Sequence, residues 1–542
     1  MGSHERFPSC VTIEWTATSP VSDLTDSQVN GPTGLEPRVG AAVRRIAVPR
    51  LRSRQARAAL SPVAQVPIAK VQTSGKGGLL ERIALGTATW AERWFPDTFS
   101  FAVLALGLVC VAAAWMGASP GAVAIAFGDG FWTFIPFTMQ MVFVVISGHV
   151  VARAPATASL ITAMARVPKT GKGAVAYVAL ISMVVSLLSW AMSLIFSGLL
   201  VRELARRRDL TMDYRAAGAA AYLGMGATWS MGISSSAAQL QANPLSVPPG
   251  LMAISGVIPF TETIFLWQSE LIALAVIVVA TVIAYCSAPA PARARTAEQF
   301  GIEIGAPSIC LPPRQRPGEW LEYSPVLTII LVALALGWLV HEFATRSWTL
   351  VISNLNSYNI AFLFLGLLLH WRPRRFLDCV SESVKATSGI LIQFPIYAGL
   401  AAILINARDP AGHNLGDCLA TMFVRAASAN TFPVLMGLYS GFLGLFIPSG
   451  GGRWIVEAPF VMTAASELKV HLGWTVQTYN AAGALPNLIN PFWMVPLIAI
   501  IGLKARDLVG FTVAQLAILA PLVLFLLWLF GPTLAYHPPV FH

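Results

Sequence analysis

Nine apolar runs long enough to cross a lipid bilayer occur along this chain of 542 residues. A transmembrane helix needs about 20 mostly apolar residues, because the hydrocarbon core is about 30 Å thick. The charged share is 11%, whereas soluble domains carry about 25%. This pattern predicts an all-α, polytopic membrane protein. The runs lie near 98–118, 131–152, 214–240, 262–284, 323–343, 350–371, 388–407, 479–503 and 509–530.

Two further apolar stretches, 174–200 and 432–466, are interrupted or have the wrong length for one span. The second contains Pro448, Ser449, three glycines and Arg453 in its middle. A helix does not continue through such a sequence, because proline removes a backbone donor and glycine disfavours the helical conformation. Broken backbone at membrane depth is tolerated only where protein or a water-filled cavity satisfies its polar groups. The pattern indicates a solute site inside a membrane protein, with Arg453 facing a partner or a ligand.

Positive charge indicates how these segments cross the membrane, because cytoplasmic loops carry an excess of lysine and arginine. If 174–200 were an ordinary span, the basic clusters on its two sides would face opposite compartments. We therefore interpret 174–200 as a re-entrant hairpin from the cytoplasm, and 432–466 as a hairpin entering from outside. This topology places all the basic clusters inside, while 119–130 and 241–261, which lack lysine and arginine, lie outside. The clusters are at 153–172, 202–215, 293–316, 372–385 and 504–506.

The two halves of the chain repeat one order of segments with opposite entry sides, which predicts an inverted repeat. Each hairpin, with its tip at 189–193 or 448–453, precedes a span that is itself broken, at 222–236 or 479–491. Paired interrupted segments in corresponding positions are the best sequence indication of a transporter's binding site. The alternative is that these glycines only permit close helix packing.

The proposed domain boundaries follow from this repeat. Residues 1–78 are expected to form a disordered basic tail, or to be sequence upstream of the true start. The remaining parts are a first transmembrane repeat at 79–285, a cytoplasmic linker at 286–321, a second repeat at 322–531 and an external tail at 532–542.

Several segments between about 80 and 530 resemble the bacterial short-chain fatty acid transporter family of the ion transporter superfamily. They are Gly128-Asp-Gly-Phe-Trp132, Met139-Gln-Met141, Gly148-His149, Arg202-Glu203, Ala205-Arg-Arg207, Gly366-Leu-Leu-Leu-His370, Ser388-Gly-Ile-Leu-Ile-Gln-Phe-Pro-Ile-Tyr-Ala-Gly399, Asn430-Thr-Phe-Pro433, Pro448-Ser-Gly-Gly-Gly452, Trp454 and Pro459-Phe460. The resemblance implies a secondary transporter of small monocarboxylates, coupled to an ion. The chain departs from the family pattern at Arg453, where the family has histidine, and at 480–486, where a Gly-Glu-Gln-Trp-like run is absent.

A short-chain carboxylate needs its charge met by donors and its aliphatic tail kept dry. Glycine-rich tips and half-helix N-termini present backbone N–H groups to an anion, and Arg453 could add a bidentate clamp. The alternative for Arg453 is an ion pair with Glu457, one helical turn on. Tryptophans beside the tips could wall the tail, but they also line helix seams, and Gln393 is equally a packing residue. The substrate-binding candidates are Ser449, Gly450, Gly451, Gly452, Arg453, Trp454, Ser234, Ser235, Trp190 and Gln393.

The asparagines of the second broken span are candidates for ion coupling. Asn480, Asn487 and Asn490 could coordinate Na⁺ together with freed carbonyls, or form interhelical hydrogen bonds. Sequence alone leaves H⁺ and Na⁺ open as coupling ions. The six cysteines show no metal-binding spacing, so we expect no metal site. No cofactor is expected either.

The sequence therefore predicts a gradient-driven transporter of short-chain fatty acids, such as butyrate or acetoacetate, across the bacterial inner membrane. One alternative is a di- or tricarboxylate carrier, which would need more cationic donors than Arg453. Another is a membrane-embedded enzyme, although no H-E-x-x-H, G-x-S-x-G or nucleotide-loop motif is present and no catalytic residue stands out. Expected partners are the carboxylate, H⁺ or Na⁺ and membrane lipids, with a homodimer as one assembly and no nucleic acid.

Overall fold

A computed structural model describes residues 98–244, 246–304, 313–446, 449–490 and 492–539. Predictions for the tail at 1–78, for Pro448 and for part of the linker lie outside these residues. The described chain is helical and has no β-strand, as predicted. Its α-helices are Thr98–Trp115, Pro120–Thr133, Ile135–Ala152, Pro155–Met164, Gly171–Leu188, Trp190–Ala205, Tyr214–Leu223, Ser236–Ala242, Pro249–Ser255, Trp267–Ser287, Glu319–Tyr323, Val326–Thr345, Trp348–Ser353, Leu355–His370, Pro373–Val384, Ser388–Asn406, Leu415–Ala426, Phe432–Phe446, Gly450–Glu467, Leu472–Ala484, Val495–Ile501 and Ala505–Phe530.

Several of these helices are suited to a bilayer. Among the described residues, six stretches are long and apolar enough to cross a membrane. Shorter apolar helices of 10–17 residues accompany them, among them Leu355–His370. The six are Ile135–Ala152, Gly171–Leu188, Trp267–Ser287, Val326–Thr345, Ser388–Asn406 and Ala505–Thr533. The prediction of an all-α, multi-pass membrane protein is confirmed.

The first hairpin consists of Gly171–Leu188 and Trp190–Ala205. Between them Ser189 has an extended backbone, with φ −155° and ψ 113°, and its side chain caps the second helix. The Oγ of Ser193 donates to the carbonyl of Ser182 over 2.7 Å. In a straight helix these residues, 11 apart, would be separated by about 16 Å. The chain therefore turns back at Ser189, inside the predicted tip, while its entry from the cytoplasm stays a prediction.

The second hairpin consists of Phe432–Phe446 and Gly450–Glu467. The Oγ of Ser440 donates to the carboxylate of Glu457, 17 residues later. A straight helix would separate these residues by about 25 Å, so this chain also folds back on itself. Ser449 caps the second helix by accepting a hydrogen bond from the N–H of Gly452 over 3.2 Å. The sequence has proline and glycine next to this turn, and both residue types disfavour a continuous helix.

Each hairpin is followed by a broken span. The first broken span is Tyr214–Leu223, a π-helical turn at Gly224–Thr228, a 3₁₀ turn at Trp229–Met231 and then Ser236–Ala242. The second broken span is Leu472–Ala484 followed by a 3₁₀ turn at Leu485–Leu488. Both leave the α-helical conformation within the segments where the sequence predicts a break.

The two broken spans meet at their irregular parts. Gly226 lies against Leu488 so closely that a Cβ on Gly226 would collide with the leucine side chain. The hydroxyl of Tyr222 donates to the carbonyl of Asn487 over 3.0 Å. This crossing lies within the core, and the residues of both spans are almost all buried.

One helix lies where the sequence indicated only an external segment without lysine or arginine. Pro120–Thr133 packs along Ser388–Asn406, and the two glycines Gly130 and Gly399 allow the close approach. Ser119 caps the helix and Pro120 stands at its first position, the usual start of a helix. These start signals are visible in the sequence, but 14 residues are too few for an ordinary span.

Candidate functional site

The glycine-rich start of the helix Gly450–Glu467 is enclosed by aromatic rings. A Cβ on Gly450 would collide with the ring of Trp229, and one on Gly452 would collide with the ring of Tyr397. The hydroxyl of Tyr479 donates to the carbonyl of Gly450. Glycine is therefore required here because the rings pack directly against the backbone.

Arg453 follows these glycines and is buried, with 3% of its surface exposed. No other lysine or arginine in the described part of the chain is buried. Its Nη2 donates to the carbonyl of Gly483 over 2.9 Å, and its guanidinium lies 4.8 Å from the ring centroid of Tyr479. Arg453 thus joins the second hairpin to the second broken span.

Glu457 is the ionic partner of Arg453, as the alternative interpretation of the sequence held. The Nε of Arg453 lies 3.0 Å from Oε1 of Glu457, which is 0% exposed. These two atoms nevertheless lack a hydrogen-bond partner among the described residues, because the contact is poorly aligned. Ser440 donates to the other carboxylate oxygen. The pair is a buried, charge-neutral unit whose carboxylate is held mainly by Ser440.

The segment 229–236 of the first broken span contacts both hairpin tips. At the first tip, Ser234 accepts a hydrogen bond from the N–H of Trp190 over 2.8 Å. At the second tip, Gly451 packs beside Ser236. Ser235 donates to Oδ1 of Asn480 over 2.9 Å, which ties this segment to the second broken span. The predicted serines are therefore gathered between the two tips.

The asparagines proposed for ion coupling make interhelical contacts in the structure. The side chain of Asn480 accepts from Ser235 and donates to Gln477. Asn487 accepts from Tyr222 through its carbonyl, and Nδ2 of Asn490 donates to the carbonyl of Leu445 over 3.1 Å. These bonds match the alternative interpretation, and a role in binding Na⁺ stays a prediction.

The remaining predicted residues lie around the second tip or the first. Trp454 is fully buried, donates from Nε1 to Gln241 over 3.3 Å and lies 4.8 Å from the ring of Tyr479. Gln393 accepts from the hydroxyl of Tyr397, the ring that covers Gly452. Trp190 instead packs edge-on against Trp493, with ring centroids 5.1 Å apart.

Sequence reasoning did not single out Ser440, Gln477 or Thr478, and it took Trp229 only as a possible wall for the aliphatic tail. Ser440 and Tyr479 hold the buried ion pair. Three nearby buried donors, Nε1 of Trp229, Nε2 of Gln477 and Oγ1 of Thr478, have no hydrogen-bond partner within the described chain. Buried polar groups are normally satisfied, so such unpaired donors suit a site that receives a polar ligand. The signal available in the sequence was that these polar residues interrupt apolar runs.

One group of potential metal ligands lies apart from this site. The ligand atoms of Glu262, His471 and His537 lie within 4.8 Å of one another. Nδ1 of His471 accepts a hydrogen bond from the N–H of Trp474 over 3.1 Å. Nε2 of His537 lies 3.2 Å from a carboxylate oxygen of Glu262. These contacts hold the polar cluster together.

Two hairpins, two crossing broken spans and an enclosed arginine are the arrangement expected of a multi-pass membrane transporter. The family model described as short chain fatty acid transporter matches residues 79–530. The chain belongs to the short-chain fatty acid transporter family.

Individual relatives agree with the family match. A protein of Escherichia coli (strain K12), named as a candidate short-chain fatty acid transporter, is 32% identical over 440 residues, covering 81% of this chain and 97% of the relative. A Haemophilus influenzae protein of the same name is 28% identical over 454 residues, covering 82% and 98%. The crystal structure of the Alcanivorax borkumensis YdaH transporter has a similar fold, with TM-score 0.50 and 14% identity over 83% of this chain and 98% of that one.

Proposed function

We propose that this chain is a secondary, gradient-driven transporter of short-chain monocarboxylates, such as butyrate or acetoacetate, in the bacterial inner membrane. The observation that carries the proposal is Arg453, the one lysine or arginine buried in the described part of the chain. It lies directly after the glycine-rich helix start, where the second hairpin meets the second broken span. Family membership supports the substrate class.

Arg453 and the helix start provide the means to bind a carboxylate. A guanidinium forms strong charge-assisted hydrogen bonds with carboxylate oxygens. The first-turn N–H groups near Gly450 and Gly451 add a partial positive charge from the helix. Trp229 and Trp454 supply apolar surface for a short aliphatic tail, and the unpaired indole N–H of Trp229 is a further donor.

The number of buried cations favours a monocarboxylate over the di- or tricarboxylate alternative. Each additional carboxylate in a dry site needs its own charge partner, because burying an unpaired charge is costly. Arg453 is a single cation, and the histidine cluster at His471 lies outside the site. The sequence also contains no nucleotide-binding loop, which supports movement driven by an ion gradient.

Transport by the purified full chain in proteoliposomes tests this proposal. Neutral butyric acid leaks through lipid and would not stay inside the vesicles. The measurement is therefore exchange of labelled acetoacetate outside against unlabelled acetoacetate inside, with protein-free vesicles as the control. We expect exchange that depends on the protein and is inhibited by excess butyrate but not by citrate. Exchange of labelled citrate without acetoacetate would favour the di- or tricarboxylate carrier, and exchange of neither would refute the proposal.

A further inference from the structure

The Arg453–Glu457 pair has one cation and one anion in a closed environment. The groups that face Glu457 are Arg453 on its own helix, Tyr439 and Ser440 on Phe432–Phe446, and Tyr479 on the second broken span. Arg453 is the only one of these that carries a permanent charge. The two charges therefore depend on each other for compensation.

A bound substrate carboxylate changes this balance. If the substrate takes Arg453 as its counter-ion, two anions share a single cation in a buried site. An uncompensated buried carboxylate is strongly unfavourable and takes up a proton instead. Glu457 is the only other carboxylate in contact with Arg453 in the described structure, so it is the group that must become neutral.

We propose that Glu457 takes up one proton from water as Arg453 binds the substrate, so that carboxylate and H⁺ move together in a one-to-one symport. This inference rests on the proposed function. The empty site holds Arg453⁺ and Glu457⁻, and the loaded site holds Arg453⁺, the substrate anion and neutral Glu457. Both forms have zero net charge, so loading transfers no charge into the membrane. The proton resides on Oε1, the oxygen that loses Arg453.

The geometry of the pair favours this exchange of partners. The contact between Nε of Arg453 and Oε1 of Glu457 is not an aligned hydrogen bond, so the exchange of partners breaks no aligned hydrogen bond. Ser440 still holds the other oxygen of Glu457, and the carbonyl of Gly483 still holds Nη2 of Arg453. In contrast, the side chain of Asn480 already binds Ser235 and Gln477, which does not favour Na⁺ there.

Calorimetric titration of butyrate into the detergent-purified full chain, in two buffers with different ionisation enthalpies, measures the protons taken up. We expect about one proton per butyrate for the wild type. The Kd for butyrate should rise about tenfold per pH unit in the range where Glu457 is ionised in the empty protein and neutral in the complex. Glu457→Gln mimics the neutral acid, so it should bind butyrate without proton uptake and without this pH dependence. The matched control is Glu342→Gln, which removes another buried glutamate from an i, i+4 pair with Arg346. It should bind like the wild type.

The outcomes separate the inference from the function beneath it. Butyrate binding by the wild type without proton uptake would overturn the coupling and leave the transporter proposal intact. Proton uptake that persists in Glu457→Gln would assign the proton to another group and also overturn it. If that variant fails to fold, the wild-type proton count decides the question alone. If the wild type binds neither butyrate nor acetoacetate, the proposed function fails and this inference with it.

Discussion

At the scale of single residues, the Arg453–Glu457 ion pair is partly predictable from sequence spacing. Their spacing of four residues predicts that they can pair, and the structure places them 3.0 Å apart. What the spacing does not predict is the enclosure, because Ser440, Tyr479 and Gly483 come from other segments. The enclosure converts an ordinary helix pair into a buried one, for which losing one partner is far more costly.

Removing the cation should therefore affect both transport and stability. We expect Arg453→Ala to lose acetoacetate exchange, and to lose about 3–5 kcal/mol of stability because Glu457 is left buried and unpaired. The double variant Arg453→Met with Glu457→Gln should unfold closer to the wild-type temperature while remaining inactive. Thermal unfolding in detergent and exchange in proteoliposomes measure the two effects. Wild-type exchange by a correctly inserted Arg453→Ala would show that the arginine is purely structural.

A second residue-scale prediction concerns the aromatic enclosure. Gly450→Ala places a methyl group into the ring of Trp229, and such overpacking typically costs about 1–3 kcal/mol. We expect exchange to fall at least about tenfold, which corresponds to about 1.4 kcal/mol. The control is Gly128→Ala, where a Cβ meets nothing within 4 Å. Equal exchange rates in the two variants would argue against close packing of Trp229 on Gly450.

At the scale of elements, the second broken span begins with a histidine cap. His471 accepts a hydrogen bond from the N–H of Trp474, and the ring of His537 lies 4.9 Å away. Burial, together with the nearby His537, lowers the pKa of His471 from 6.5 to about 4. Protonation would add charge beside His537 and remove the acceptor that caps the helix.

This cap predicts a pH dependence with a definite sign. Because the pKa is lower in the folded protein, the unfolded chain binds more protons, and stability falls as pH decreases from about 6.5 towards 4. His471→Asn keeps a capping oxygen but does not titrate, so its unfolding temperature should fall less over this range. His471→Ala should lose about 0.5–2 kcal/mol at neutral pH. Identical pH profiles for the wild type and His471→Asn would contradict this role.

A further prediction at the scale of elements is that the two hairpins enter the membrane from opposite sides. In a chain whose six cysteines are replaced, Lys169→Cys and Arg208→Cys flank the first hairpin at exposed positions. Asn430→Cys and Lys469→Cys flank the second hairpin at exposed positions. An impermeant thiol reagent added outside cells should label only the second pair. Labelling of one member of either pair without the other would show that the segment crosses the membrane completely.

At the scale of the whole molecule, the family match begins at residue 79. None of the segments that resemble the family lies within residues 1–78. A chain starting at Leu79 should therefore exchange acetoacetate at the rate of the full chain. Rates are compared at equal membrane levels of the two proteins. A large loss of exchange in the shorter chain would assign a regulatory role to residues 1–78.

The sequence by itself determined the class of fold and the position of its breaks. Apolar length, loop charge and Pro448 to Gly452 act locally along the chain, so they are readable without neighbours. They located the turn at Ser189 and both broken spans.

Only the tertiary structure decided which side chains meet. It brought Ser440, Tyr479 and Gly483 around the Arg453–Glu457 pair, and it joined Asn480 to Ser235 across the core. The physical reason is that burial and partner choice depend on segments far apart in sequence, which local pattern does not specify. A charge in an apolar run indicates that a partner exists, and packing alone determines which one it is.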